Sequence, residues 1–459
     1  MSTPKIMKLS LIGFLWTLIL LTQGTGVSLA QKVKQPLKPN IIFIMADDLG
    51  YGDLGSYGQK FIKTPHLDRM AREGIRFTQF YAASPVCAPS RASFMTGQHQ
   101  GHAYIRGNMS LKKERVPLRP RDVTVAEVLK GAGYRTGVIG KWGLGEPNTT
   151  GIPNRKGFDY WFGYLNQAHA HNYYPDYLWR NEERISIPKS TYSHDLFTAE
   201  TREFIRRERD GPFFLYLAYT IPHANNELGR ETGNGMEVPD DEPYSNEKWS
   251  QQQKNYAAMV TRMDADIGKI LALLKDLNLD QNTLVLFSSD NGPQGVDEGG
   301  YDLALFGSNG PLRGRKRALY EGGIRVPMIA RWPVRIKAGQ VSDHLWTQWD
   351  FLPTAAAIAG AKPPTGINGI AMLPGLMGGR VPVHKHLYFE FHEPNFAQAV
   401  RMDRWKAVRR GSDGPVELYD LHTDIGETRD LAGKNPKLVG QMIEIMNREH
   451  VESEHWPVK

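Results

Sequence analysis

Five short apolar runs constrain this chain more than any other feature. They are IIFIM (41–45), TGVIG (136–140), FFLYLAY (213–219), TLVLFSS (283–289) and IRVPMIARW (324–332). Such runs, bounded by turn residues and rich in β-branched and aromatic side chains, read as buried strands. Helical patterns lie between them. TPHLDRMAREG (64–74) closes on Gly74, and TVAEVLKGAG (124–133) opens on Thr124 with Glu127 three residues on, a capping arrangement. LFTAETREFIRRE (196–208) and a long helix from Lys254 to Leu277 continue the alternation. This order predicts an α/β fold, a large mixed, mostly parallel sheet sandwiched by helices. In such sheets, sites form beyond the carboxyl ends of the strands.

The stretch AKPPTGINGIAMLPGLMGG (361–379) marks passage into a smaller unit. There HLYFEF (386–391), QAVRMDRWKAVR (398–409) and VELYDL (416–421) predict a small antiparallel sheet, and PKLVGQMIEIMNREH (436–450) a closing helix. The expected division is a catalytic domain over 31–375 and a C-terminal subdomain of antiparallel sheet plus helix over 376–459. Residues 220–250 lack a regular pattern and read as a substrate-facing loop.

The first residues read as a targeting segment. Lys5 and Lys8 precede an apolar run over 9–21, and Ser28-Leu29-Ala30 forms a small-residue cleavage site. Residues 1–30 are therefore expected to be a signal peptide cut after about Ala30, which predicts a secreted or periplasmic protein. The run is short for a membrane span and no later segment is longer, so no span is expected in the mature chain. The formal charge of +7 comes without a dense basic tract, which argues against nucleic acid and suits an anionic substrate. Cys87 is the only cysteine, so no internal disulfide can form and stability must come from burial.

Two of the strands end in oxygen-bearing residues. IIFIM runs into Ala46-Asp47-Asp48, and TLVLFSS into Asp290-Asn291-Gly292. Each pair alone reads equally as the polar turn after a strand. Brought together at one sheet edge, they would form an all-oxygen site selecting Ca²⁺ or Mg²⁺ over Zn²⁺.

Between them lies Pro85-Val86-Cys87-Ala88-Pro89-Ser90-Arg91, followed by Thr96-Gly97. This resembles the signature of the type I sulfatases, in the alkaline phosphatase superfamily. Asp47-Asp48, Asp290-Asn291-Gly292 and Tyr320-Glu321-Gly322-Gly323 stand in the order that family shows. The resemblance covers Asn40 to about Ala432. It implies that a formylglycine-generating enzyme oxidises Cys87 to formylglycine (3-oxoalanine). It also implies one Ca²⁺, with Mg²⁺ the alternative, at Asp47, Asp48, Asp290, Asn291 and the modified residue 87. A hydrated aldehyde carries two hydroxyls on one carbon. One can attack sulfur, and deprotonation of the other expels sulfate and restores the aldehyde. By position, Arg91 would support the hydroxyls of residue 87. Lys141 and Lys316 would hold sulfate oxygens, and His223 would protonate the departing alcohol.

One segment departs from the family pattern. Where the family commonly has Gly-Lys-Trp-His-Leu-Gly, this chain has Gly140-Lys141-Trp142-Gly143-Leu144-Gly145. The absent histidine is the base usually assigned to sulfate elimination. His169 or His171, in NQAHAHNYY (166–174), is the expected replacement; no third ligand at zinc-site spacing accompanies them. Arg106 and Asn108 are candidates for binding a hydroxyl or second anion. Trp161, Tyr164, Tyr173, Tyr174, Trp179 and the loop around Asn225 to Glu237 are candidates for a sugar platform. The function implied is hydrolysis of sulfate esters of a carbohydrate. The alternatives are a phosphonate monoester or phosphodiester hydrolase of the same superfamily, and a sulfated-glycan-binding protein without turnover.

Overall fold

The computed structural model describes residues 38–380 and 382–458; the expected signal peptide lies outside these residues. The apolar runs become the middle of an eleven-stranded sheet among the described residues. Its strands are β1 (Asn40–Ala46), β2 (Ile75–Tyr81), β3 (Arg135–Lys141), β4 (Tyr160–Tyr164), β5 (Tyr177–Arg180), β6 (Glu183–Ser186), β7 (Phe213–Ala218), β8 (Thr283–Ser289), β9 (Arg325–Arg331), β10 (Gln340–Ser342) and β11 (Trp346–Thr347). Their order is β10-β2-β9-β8-β1-β7-β3-β4-β5-β6, with β11 beside β2. The central run from β8 to β4 is parallel, while β9, β5 and β6 join antiparallel. The sheet is thus mixed and mostly parallel, as the alternation of runs and helices requires.

The two-residue period of a strand sends alternate side chains to opposite faces. Ile42, Ile44, Leu215, Leu217, Val285 and Phe287 pack on one side, with Met259, Val260, Met263 and Ile267 of the helix Gln251–Asp276. Ile41, Phe43, Met45, Phe214 and Leu286 pack on the other. There the helix Cys87–Thr96 is buried along all 10 residues. Its Phe94 stacks on Phe351 at 4.6 Å and meets Phe43 at 4.5 Å. Each buried phenylalanine contributes roughly 1.5–3 kcal/mol, so this aromatic knot fixes the helix, and Cys87 with it, against β1.

A second sheet holds β12 (Leu387–Phe391), β13 (Ala397–Met402), β14 (Trp405–Arg410) and β15 (Val416–Asp420), all antiparallel. The stretch QAVRMDRWKAVR is two strands rather than one, reversing at Asp403 with φ 50°. The helix Pro436–Glu449 buries Met442, Ile445 and Met446 against Tyr388, Val400, Ala407 and Leu418. On the opposite face, Leu387, Phe389 and Val408 pack with Tyr81, Ile324 and Trp349 of the larger unit. No helix among the described residues is long and apolar enough to cross a membrane.

Candidate active site

β1 and β8 are parallel neighbours, with Ala46 opposite Ser289, so their carboxyl ends lie side by side. After β1 the chain turns through Asp48 in the left-handed region, φ 61°. The Asp48 amide donates to Asp290 Oδ1 at 3.1 Å, and the Leu49 amide to Ser289 Oγ at 2.9 Å. These bonds tie the two strand ends together. Val86, in extended conformation, precedes the helix Cys87–Thr96, so Cys87 opens that helix above them. The Cys87 thiol lies 3.3 Å from Asp47 Oδ1 and 4.0 Å from Asp48 Oδ1. Asp47, Asp48, Cys87, Asp290 and Asn291 are all buried.

Three cations enclose these groups. Arg91, one turn along the helix from Cys87, donates to Asp290 Oδ2 from Nε at 3.0 Å and Nη2 at 2.8 Å, and to the Lys141 carbonyl at 3.0 Å. Lys141, last residue of β3, donates to Asp47 Oδ2 at 2.6 Å. Lys316 donates to Asp48 Oδ2 at 2.8 Å and lies 3.2 Å from His223 Nε2. His223 Nδ1 faces the Ala224 carbonyl at 2.6 Å. A carbonyl only accepts, so the proton sits on Nδ1 and Nε2 offers its lone pair to Lys316. Burial and the Lys316 charge hold this imidazole well below its ordinary range.

The carboxyls respond unequally. Burial alone would raise Asp47, but the charges of Lys141 and Arg91 hold it well below the usual range. Asp48 is raised, because burial outweighs Lys316. Burial and the Asp47 charge push Asp290 up to about 7, against Arg91. Burial, then Asp47, push the Cys87 thiol well above its ordinary value.

The donor set suits a hard divalent cation. Ligating atoms of Asp47, Asp48, Cys87 and His223 lie within 4.8 Å of one another. The His223 lone pair is already engaged by Lys316, which leaves the oxygens. Asn291 Nδ2 donates to Asp48 Oδ1, whereas Asn291 Oδ1 is buried without a hydrogen-bond partner. A buried amide oxygen beside carboxylates, with nothing to accept from, is what an oxygen-ligated cation would complete.

Other expectations resolve differently. His171 stacks on His223, ring centroids 4.8 Å apart, and its Nδ1 meets Glu227 Oε2 at 2.9 Å. His169 packs between Tyr164 and Tyr177, and neither ring nitrogen has a partner. The structure therefore brings His171, and not His169, against the cluster. Arg106 is buried, donating to Glu390 Oε1 at 2.8 Å and to the Ala103, Gly101 and Val451 carbonyls. It ties its own loop to β12 and to the segment after the last helix rather than serving as a ligand group. Asn108 Oδ1 accepts from the Ala88 amide and steadies the start of the helix Cys87–Thr96. Trp161, Tyr164 and Tyr173 are buried in the core, so they offer no sugar platform. Sequence reasoning reached Glu227 only as part of the loop around Asn225 to Glu237, without its pairing to His171, and missed Glu298, 3.7 Å from Lys316. Only tertiary contact reveals them.

A family model described as Sulfatase matches residues 39–361. The chain belongs to the sulfatase family. A second model, N-sulphoglucosamine sulphohydrolase, C-terminal, matches residues 314–452 of this sulfatase. The N-acetylgalactosamine-6-sulfatase of Canis lupus familiaris is 34% identical over 85% of this chain and 75% of its own length. The human arylsulfatase A is 31% identical over 90% and 86% respectively. Among solved structures, Ps i-CgsB in complex with k-i-k-neocarrahexaose superposes with a TM-score of 0.80, at 31% identity, over 92% of this chain and 95% of that one. This sulfatase is accordingly a sulfuric ester hydrolase.

Proposed function

We propose that this sulfatase removes sulfate from a sulfated carbohydrate, using residue 87 after a formylglycine-generating enzyme has oxidised it from cysteine. The observation that carries this reading is the position of Cys87. It is buried at a helix start, between two oxygen-bearing strand ends and beside three buried cations. As a cysteine it has little to offer, since the thiolate is the reactive form and its surroundings disfavour that form. The formylglycine hydrate supplies paired hydroxyls; Asp47, Asp48, Asp290 and Asn291 would hold a calcium ion, which would supply Lewis-acid activation of a hydroxyl as nucleophile.

The chain's own side chains account for the remaining work. Arg91 holds Asp290 with two donors and so fixes the ligand cage. Lys141 and Lys316 are paired to Asp47 and Asp48 here. With those carboxylates otherwise satisfied, both ammoniums are free to turn to the oxygens of an anionic ester, where charge accumulates during attack. His223 Nε2 accepts from the Lys316 ammonium, so a proton drawn from Lys316 is placed at Nε2 for transfer to the leaving alcohol oxygen. His171, stacked on His223 and oriented by Glu227, is the imidazole that takes the proton from residue 87 during sulfate elimination.

The N-acetylgalactosamine-6-sulfatases and the oligosaccharide complex of Ps i-CgsB support a carbohydrate ester. The leader sequence supports export to where a polymeric substrate is met. Protein produced together with a formylglycine-generating enzyme, and screened against position-defined sulfated mono- and disaccharides, is expected to release inorganic sulfate from at least one. A preference for aryl phosphodiesters over aryl sulfates, or full activity with residue 87 still a thiol by mass, overturns the reading.

A further inference from the structure

Gly143 and Gln167 form a matched pair beside the catalytic cluster. Gly143 lies two residues beyond Lys141, its amide donating to the Leu165 carbonyl at 3.1 Å. Its φ of +74° lies in the left-handed region. A β-carbon on residue 143 would stand 2.1 Å from Gln167 Nε2 and 2.7 Å from Gln167 Cδ. The carboxamide of Gln167 therefore fills the space that any side chain at position 143 would enter.

Gln167 is only 7% exposed, yet its Nε2 is buried with no hydrogen-bond partner. A folded chain rarely leaves a buried donor unmade, so Gln167 Nε2 calls for a partner that the described residues do not supply. Four residues on, His171 lies against His223, and the charges of Lys141 and Lys316 both act on it. The segment from Asn166 to His171 thus runs along the site, with Gln167 at the end beside the Lys141 strand.

We propose that Gln167 is a substrate-binding residue: its Nε2 donates to an oxygen of the bound sulfate group, and residue 143 is glycine to leave room for that carboxamide. The inference rests on the sulfatase reading above. A carboxamide donates and accepts hydrogen bonds but does not change protonation near neutral pH. The position facing Gly143 therefore binds an anion without moving a proton, and proton transfer falls to His223 and His171.

The test uses full-length, formylglycine-bearing, calcium-loaded protein and the variants Q167A, Q167E, G143A and G143A/Q167A. Three quantities are read: kcat and KM on a sulfated saccharide the wild type cleaves, the rise in Tm caused by inorganic sulfate, and the Tm without sulfate. Q167A is expected to lower kcat/KM about tenfold to a hundredfold, the range for a hydrogen bond to a charged group. It should lose most of the sulfate-induced rise and leave the sulfate-free Tm unchanged or higher, because an unpartnered amide holds nothing in place. Q167E should lose more, since a carboxylate repels the anion. G143A should displace the carboxamide and cost as much kcat/KM as Q167A, with the double variant no worse than either. Wild-type kcat/KM and sulfate response in Q167A, or losses that simply add in the double variant, would overturn the pairing. So would a fall in the sulfate-free Tm of Q167A large enough to explain its lost activity. Failure of the sulfatase reading looks different: the wild type itself would neither release sulfate nor respond to it, and the inference would fall with it.

Discussion

The cluster around Cys87 and the cluster between the two sheets are built from the same ingredients. In the first, Asp47, Asp48 and Asp290 are matched by Lys141, Lys316 and Arg91. In the second, Glu321 accepts from Lys406 at 2.9 Å, Arg325 at 3.2 Å and the Tyr81 hydroxyl at 2.7 Å. Glu427 lies 2.9 Å from the same Lys406 and accepts from the Glu321 amide at 2.7 Å. Both clusters are buried, and in both the formal charges cancel. They differ in what is left unmade. The site keeps two neutral amide atoms, Asn291 Oδ1 and Gln167 Nε2, without partners, whereas between the sheets the one carboxylate oxygen that makes no hydrogen bond, Glu427 Oε1, lies 2.9 Å from the Lys406 ammonium. Charge balance therefore does not separate a working cluster from a structural one. Neutral amide groups left without any partner do.

The contrast breaks first, and hardest, at Cys87. C87A should reduce sulfate release by roughly 10⁴-fold or more, as loss of a nucleophile does. Its urea midpoint should stay near that of the wild type, because a small buried side chain making only weak thiol bonds to Asp47 and Asp48 is all that is lost. A C87A protein that still turned over, or that failed to fold, would place residue 87 in the structural class. Next, K316M and K406M remove one buried cation from each cluster. K316M should lower kcat/KM about 10²–10³-fold, the scale of one charge-stabilising group in the transition state. K406M leaves Glu321 and Glu427 buried without their shared cation and should cost about 3–5 kcal/mol in urea unfolding, while folded protein keeps its kcat. If the two variants exchanged these signatures, unpartnered amides would not be what separates the clusters.

The inter-sheet cluster also predicts a pH signature. Burial, with the Glu321 charge adding and Lys406 opposing, raises Glu427 from 4.5 to about 7. An acid raised on folding binds its proton more tightly in the folded state. It contributes stability in full below about pH 4.5, and that contribution is lost as pH rises through about 7. E427Q, which cannot titrate, should therefore gain on the wild type between those pH values by up to about 3 kcal/mol, on top of a constant offset from the lost ion pair. Urea titrations at a series of pH values read the gap directly; a flat gap would mean that Lys406 holds Glu427 ionised throughout.

How much of this was legible depended on how local the signal is. The central strands could be read because they are uniformly apolar, and the carboxylates because each follows its own strand. β2 escaped because IRFTQFY is only half buried and carries polar residues throughout. The helix Cys87–Thr96 escaped for the opposite reason: buried on every side, it has no polar face and hence no helical period. Glu321 was visible as part of a motif, but its work was not, since Lys406 lies 85 residues away. Gly143 was visible only as a missing side chain. The group filling its space, Gln167, belongs to another loop, and a single sequence does not say which loops touch.

The finest test of the comparison lies within three residues. His169 and His171 sit on one short 3-10 turn, His169–His171, yet they face different neighbours. His169 lies among Tyr164 and Tyr177, and burial lowers its basicity, with Arg184 contributing and Asp176 opposing. His171 is also lowered by burial, but Glu227 raises it, and the charges of Lys141 and Lys316 reach it. A group that feels the catalytic cations should also feel the reaction they serve. H171A is expected to lower kcat about tenfold to a hundredfold, the lower range for general acid–base catalysis, and to weaken inhibition by phosphate. H169A should leave kcat within about twofold, because surface-type or packing changes away from the reacting atoms leave catalysis alone. Equal losses in both variants would mean that the turn acts as a rigid unit. Removal of Glu227 separates these cases: E227Q should follow H171A in kcat if the imidazole itself matters, and match the wild type if only the turn does.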